Sequence, residues 1–243
     1  MRIWWISGLF IGLSLALANV AAACSCADPG PPCKALSQAS AVFAGSVTAI
    51  EEAKSGSGEF VLYGRRIRFQ VAESFQGLSG TAVDVYTGYG GGDCGYGFHK
   101  GGSYLVYAYR DANTGQLTTG ICSRTQSLNN ATHDLGYLRR RNDPGLGSGI
   151  EGYAFRLKRD SKGNTSWESY ATGVNLLAER DGKTWEVTTG KGGVFSLWGL
   201  APGKYRLRGQ EQERYIVSAS PEELEVPAKG CASAIVMLTP KLR

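Results

Sequence analysis

Two histidines in 243 residues leave little room for catalytic chemistry. His99 and His133 stand far apart, with no His-Glu-x-x-His, no Gly-x-Ser-x-Gly and no group of histidines and carboxylates at ligand spacing. A hydrolytic triad needs an orienting base beside its nucleophile, so both histidines read as surface side chains and no enzyme is expected. Cys-x-x-Cys is also missing, which argues against structural zinc, and neither an intrinsic metal nor a cofactor is expected. The run Gly88-Tyr89-Gly90-Gly91-Gly92-Asp93-Cys94-Gly95-Tyr96-Gly97 lacks the Gly-Lys-Ser/Thr of a phosphate cradle and the strand, turn and helix of a dinucleotide fingerprint. It reads as a wide loop anchored by Cys94, with Asp93 as a turn residue. The apolar run Ile3 to Leu17 is too short for a transmembrane segment.

That run reads instead as an exported leader: Arg2 supplies the positive start and Ala21-Ala22-Ala23 an A-x-A cut site. Cleavage there makes Cys24 the first mature residue. Lipid anchoring at Cys24 is the weaker reading, because it needs Leu, Val or Ile where the chain has Ala21. The expected division is a signal peptide over 1–23, a first domain over 24–142, a linker over 143–149 and a second domain over 150–243. All six cysteines, Cys24, Cys26, Cys33, Cys94, Cys122 and Cys231, follow the leader, so an even set matures in an oxidising compartment and reads as structural disulfides. The expected location is secreted, extracellular or periplasmic. Net charge is +5, and its one short cluster, Arg139-Arg140-Arg141, reads as solvated surface rather than a nucleic-acid site.

Between Ala41 and Ile121 the pattern is short apolar runs broken by glycine. Ala41 to Ile50 reads as a strand that ends before a turn over Glu51 to Gly58. In Phe60 to Phe75, Ile67, Phe69 and Val71 alternate with Arg66, Arg68 and Gln70, which predicts one buried and one wet face. Thr81 to Thr87 and Ser103 to Tyr109 follow, and Asn113-Thr114-Gly115 predicts a hairpin into Gln116 to Ile121. After Cys122 the period changes: Leu128, Ala131, Leu135 and Leu138 share a helical face, with Ser127 as expected N-cap. Five strands and a terminal helix suit an oligonucleotide/oligosaccharide-binding (OB) type barrel, with a sandwich left open. Beyond the turn-rich 142–149, strands are expected at 150–157, 173–179, 184–188, 193–198, 203–209, 223–226 and 232–238, which suggests a β-sandwich. The chain is therefore read as all-β throughout. Trp167, Tyr170 and Trp185 are weighed as a glycan platform against plain core or edge packing. Asn130 and Asn164 match the glycosylation acceptor pattern.

Cys24-Ser25-Cys26, the strand Ala41-Val42-Phe43-Ala44-Gly45-Ser46-Val47, Cys94, Gly101-Gly102-Ser103-Tyr104-Leu105-Val106 and Cys122 fall in one order and at one spacing. In these the chain resembles the tissue inhibitors of metalloproteinases and the wider netrin-like OB modules, over about 24–140. The resemblance implies bonds from Cys24 to Cys94 and from Cys26 to Cys122. Closing loops of about 70 and about 96 residues, such bonds stabilise a fold by roughly 4 to 5 kcal/mol each on the chain-entropy estimate. It also implies a function, in which the amine and carbonyl of Cys24 chelate a protease's catalytic zinc while Ser25 enters the neighbouring pocket, a gain that rests on prior immobilisation.

Two departures accompany the resemblance. Cys33 lies closer to Cys26 than the family's third cysteine does, and no cysteine follows Cys122 within the barrel, so its partner is left open, Cys231 being the candidate that ties the domains together. The inhibitors' second domain is replaced by Gly193 to Leu207, whose strand, Leu-x-Pro-Gly turn and strand look like prealbumin-like, carboxypeptidase regulatory-like sandwiches. That second likeness implies a fold and almost no function. The sequence therefore supports a secreted metalloproteinase-inhibitor-like protein directed at a zinc metalloendopeptidase. The alternative is a noncatalytic extracellular or envelope adhesion protein that recognises protein or glycan.

Overall fold

The computed structural model describes residues 24–55, 62–143, 146–210 and 212–241. The expected signal peptide, the part of the expected turn beyond Ser55 and positions 144–145 of the expected linker lie outside them. A helix, α1 (Pro32–Gln38), leads into β1 (Ala41–Ser55), β2 (Leu62–Gln76), β3 (Ala82–Thr87), β4 (Ser103–Arg110), β5 (Leu117–Thr118) and β6 (Gln126–Ser127), followed by α2 (Thr132–Arg140). Neighbours run β1, β2, β3, β5, β4, and β4 returns to β1, so five strands close into a barrel in the order of the OB type, with β6 added to β4.

Alternation builds this barrel, and two of its strands are buried on both faces. From β1, Ala41 and Phe43 enter the barrel interior with Ile67, Phe69 and Val85, whereas Val42 and Ala44 face the helices with Leu105, Tyr107, Ala131 and Leu138. Helices covering one side of the barrel explain why β1 and β4 read as continuous apolar runs rather than as alternating ones. On β2 the expected alternation holds, with Ile67 and Phe69 fully buried. Burying each such side chain is worth about 1.5–3 kcal/mol.

The second part is, among the described residues, a sandwich of nine strands: β7 (Ser148–Arg159), β8 (Thr165–Tyr170), β9 (Asn175–Arg180), β10 (Lys183–Thr188), β11 (Val194–Leu200), β12 (Gly203–Gly209), β13 (Tyr215–Ser220), β14 (Glu223–Val226) and β15 (Gly230–Pro240). One sheet runs β11, β7, β15, β13 with β8 also on β7, and the other runs β10, β9, β12, β14. Their inner faces supply one core, including Ile150, Leu176, Phe195, Leu207, Val236 and Leu238. β15 lies parallel to β7, and Gly152 permits it: a Cβ there would lie 1.8 Å from the Ala234 carbonyl oxygen.

Several expectations need correction. β1 continues through Glu51 to Ser55, because it pairs with β2 in a register that sets Glu51 against Arg66 and Glu52 against Arg65. Opposite charges facing each other across a hairpin favour strand where local composition suggests turn. β5 is two residues long rather than six. Ser127 caps nothing: a 3-10 turn, Leu128–Asn130, intervenes, and α2 begins at Thr132 with no side-chain cap. α1, β8 and β13 are strands and a helix absent from the sequence reading. Positions 148–149 of the expected linker already pair with β11 and β15. Of the arginine cluster, Arg139 pairs with Glu73 and Arg140 with Asp143, while Arg141 donates to the Phe75 carbonyl.

Candidate functional site

Three disulfides join Cys24 to Cys94, Cys26 to Cys122 and Cys33 to Cys231, with Cα separations of 5.5, 5.0 and 5.8 Å. Such bonds mark a chain that folds in an oxidising compartment. The first two hold residues 24–26 against two loops of the barrel. Around Cys94, a 3-10 turn (Gly91–Asp93) ends with Cys94 itself in the left-handed region at φ 57°. Asp93 organises this turn: its carboxylate accepts from the backbone N–H of Gly95 at 3.0 Å, Tyr89 at 2.6 Å and Gly90 at 2.8 Å. Those donors hold the Asp93 carboxyl below the usual carboxylate range. The glycines follow from crowding, since a Cβ on Gly95 would lie 2.2 Å from the Gly88 carbonyl carbon. The Ile121 N–H donates to the Cys94 carbonyl at 2.9 Å, so segments 88–95 and 120–122 lie side by side.

Cys24 settles onto this loop, its Sγ 3.3 Å from the Gly91 oxygen and 3.4 Å from the Gly92 oxygen. Ser25 and Cys26 are exposed. Nearby, the Arg65 guanidinium lies over the Tyr89 ring, 5.5 Å from its centroid. A cavity of about 190 Å³ opens beside the loop, lined in part by Arg65, Tyr86, Thr87, Asp93 and Thr118. The ridge is thus a short segment outside any helix or strand, exposed at Ser25 and Cys26, cross-linked twice and flanked by a loop whose shape is set by one carboxylate.

A second cluster sits where the barrel meets the sandwich. Arg124 grips Asp134 of α2 through Nε at 2.7 Å and Nη2 at 2.6 Å, and its Nη1 donates to the Gly30 carbonyl at 2.7 Å. The Tyr107 hydroxyl donates to the same carboxylate at 2.9 Å. Burial alone would raise the Asp134 carboxyl, but the Arg124 guanidinium outweighs it and brings it to about 2. Opposite lies Glu151 of β7, 1% exposed, accepting from Ser196 Oγ at 2.9 Å and Trp198 Nε1 at 3.2 Å. Burial pushes its carboxyl up. The Glu151 carboxylate also reaches Cys33 Sγ at 3.4 Å, and with Cys231 the three could resemble a metal site. Both sulfurs are committed to their mutual bond, so the group offers a cation one carboxylate only. Burial first, and then the hydrogen bond it donates to Asp28, lift the Tyr153 hydroxyl to about 12.

Arg124, Asp134 and Glu151 went unnoticed in the sequence. One signal existed: Asp134 lies three residues after Ala131 and four before Leu138, both buried, so a carboxylate occupies the apolar stripe of α2. His99 is exposed. His133 sits at the junction, its Nε2 3.5 Å from Ser196 Oγ. The three aromatics weighed as a platform separate. Trp167 and Tyr170 share β8, with ring planes at 80° and centroids 6.0 Å apart, whereas Trp185 of β10 packs edge-on to Tyr205 toward the sandwich core. Perpendicular rings do not make a flat stacking surface for a sugar chain.

No protein-family model matches the chain, and no curated protein matches it. Among solved structures, it shares 10% identity with GBS52, the minor pilin of Streptococcus agalactiae, over 84% of each chain at a TM-score of 0.28. With the T-13 major pilin of Streptococcus pyogenes the identity is 11%, over 83% of this chain and 91% of the pilin, at a TM-score of 0.20. Scores this low transfer neither architecture nor role. What the fold and disulfides define by themselves is an all-β, cross-linked protein of an oxidising compartment. Among the described residues no helix is long and apolar enough to cross a membrane.

Proposed function

We propose that this chain is a noncatalytic, exported binding protein whose binding edge is the doubly cross-linked ridge Cys24-Ser25-Cys26 with its flanking loop 88–95. One observation carries the reading: alternate residues of one short segment are bonded to two adjacent loops, Cys24 to Cys94 and Cys26 to Cys122. A segment held in this way has lost its freedom before any partner arrives, which removes an ordering cost from binding. The finer reading is that the partner is a zinc metalloendopeptidase. Cleavage before Cys24 frees an amine adjacent to a carbonyl, a five-membered chelate that displaces the zinc-bound water while Ser25 enters the pocket beside it. Zinc belongs to the protease, not to this chain. A broader alternative, adhesion to an envelope protein or glycan, shares the noncatalytic description and does not need the free amine.

Inhibition of a panel of zinc endopeptidases by the mature protein, with and without one added Ala before Cys24, tests the finer reading. The unextended protein is expected to inhibit and the extended one not to. Equal inhibition by both forms refutes chelation. Inhibition should also weaken in acid, because a terminal amine with a pKa near roughly 8 must release its proton to bind metal.

A further inference from the structure

The outer face of the sheet containing β7 changes its surroundings halfway along the strand. At the start of β7, Glu151 faces outward, and so do Ser196 and Trp198 of β11, which pair near it. The barrel covers this half: Trp198 stacks on Tyr137 with centroids 5.3 Å apart and planes at 19°, and His133 meets Ser196. Farther along, the same alternation points Tyr153, Phe155 and Leu157 outward. Register sets Tyr170 against Phe155 and Trp167 against Leu157 on one side, and Ile235 and Met237 against Tyr153 and Phe155 on the other. At the near rim Asp28 meets the Tyr153 hydroxyl and, with Pro31 and Lys34, borders Tyr153 and Ile235; beyond them the face opens. Trp167 is 58% exposed, Tyr170 54% and Ile216 of β13 57%.

The uncovered half carries no charge at its outward positions from Tyr153 to Leu157 on β7, from Ile235 to Thr239 on β15, or at Ile216, Ser218 and Ser220 on β13. The opposite sheet of the sandwich differs sharply. Its outer side is a charged lattice in which Arg206 pairs with Glu222 and Arg208 with Glu179.

We propose that this uncovered face is a self-association surface, on which a second copy of the chain packs sheet to sheet about a two-fold axis. Three observations select a second copy. An isologous contact lays a patch on its own image, so outward strand positions without charge meet no like-charge repulsion. A charged partner, by contrast, finds no complement at those positions, Asp28 and Lys34 standing at one rim. The face is also continuous with the half that the barrel already buries through similar aromatic contacts. Its size, roughly 20 by 20 Å from strand rise and spacing, is about 400 Å² per copy. That is enough to mark an interaction site and short of the roughly 800 Å² per partner of a standard stable complex. The dimer is therefore weak and concentration-dependent. It carries two copies of the Cys24 ridge, and linking two binding edges raises avidity without new contacts. The proposal stands whether or not the ridge binds zinc.

Sedimentation velocity of the oxidised mature protein from about 1 µM to about 500 µM, the range of weak complexes, tests it. The expected result is a mass rising from one chain toward two. Trp167→Arg, and separately Ile216→Arg, should weaken dimerisation at least roughly tenfold, because each sets a charge against an apolar contact of the face, with an unchanged melting temperature. A single-chain mass at every concentration overturns the proposal, as does a dimer indifferent to both substitutions. A monomer whose tryptophan fluorescence responds to chitin or peptidoglycan oligosaccharides also overturns it, and assigns the face to glycan.

Discussion

The barrel and the sandwich each bury one carboxylate where they meet, and the two behave in opposite ways. Asp134 of the barrel is clasped by Arg124 and held at about 2. Glu151 of the sandwich has neutral donors, Ser196 and Trp198, and is pushed up by burial. The same contrast runs through the architecture. The barrel closes on itself, is cross-linked to the segment 24–26 and keeps a helix over β1 and β4, whereas the sandwich leaves part of an apolar sheet face open. What the difference teaches is that the barrel is completed within the chain, while the sandwich depends on neighbours: the barrel over half of one sheet, and in our proposal a second copy over the rest.

The comparison breaks most violently at the disulfides. Replacing Cys26 and Cys122 together by Ser should cost roughly 4 to 5 kcal/mol on the chain-entropy estimate, read from denaturant midpoints, because the bond spans 96 residues. A loss below about 1 kcal/mol would show that the ridge is held by its other contacts. Next comes Asp134→Ala, which leaves the Arg124 guanidinium buried without its anion and should cost roughly 3 to 5 kcal/mol near neutral pH. Since the folded carboxyl lies below its ordinary value, the wild-type contribution is present above the unfolded pKa and fades as pH falls toward about 2. Stability curves of the two proteins should therefore converge in strong acid.

Glu151→Gln sharpens the contrast, because its expected sign is reversed. A raised folded pKa contributes stability that is fully present below the unfolded value and is lost as pH rises through the folded one. The amide keeps its oxygen for Ser196 and Trp198 and sheds the buried charge, so the variant should melt higher than wild type at neutral pH. That advantage should shrink on acidification. A constant difference between pH 4 and 8 would refute the assignment. The smallest effect on folding belongs to Trp167→Arg, within about 0.5 kcal/mol of wild type because the site is exposed. Its consequence should appear in association instead.

Much of the architecture was legible where a strand has one wet face. Arg66, Arg68 and Gln70 against Ile67 and Phe69 announce β2, and Tyr205 and Leu207 between charged neighbours announce β12. β13 alternates too, but Ile216 points outward while Val217 packs on the core, so composition misleads about its face. β8 is exposed almost throughout and owes its extended form to pairing with β7. α1 has seven residues, too few to display a period, and it forms because Cys33, Ala35 and Leu36 are buried. Of the candidate site, Cys24, Ser25 and Cys26 were readable as a pattern and Asp93 as a turn residue. Arg124 and Glu151 were not, because nothing local distinguishes a buried charge from a solvated one.

From the sequence alone come the expectation of export, an even set of cysteines beyond residue 23, the all-β periodicity and two differently patterned halves. These are properties of near neighbours along the chain. Tertiary structure alone decided which carboxylates lose water, which part of an apolar face stays open and how the loop around Cys94 cradles Cys24. Each of these depends on groups brought together from far apart in the chain, and the energy of a charge or an apolar ring is set by what surrounds it in space.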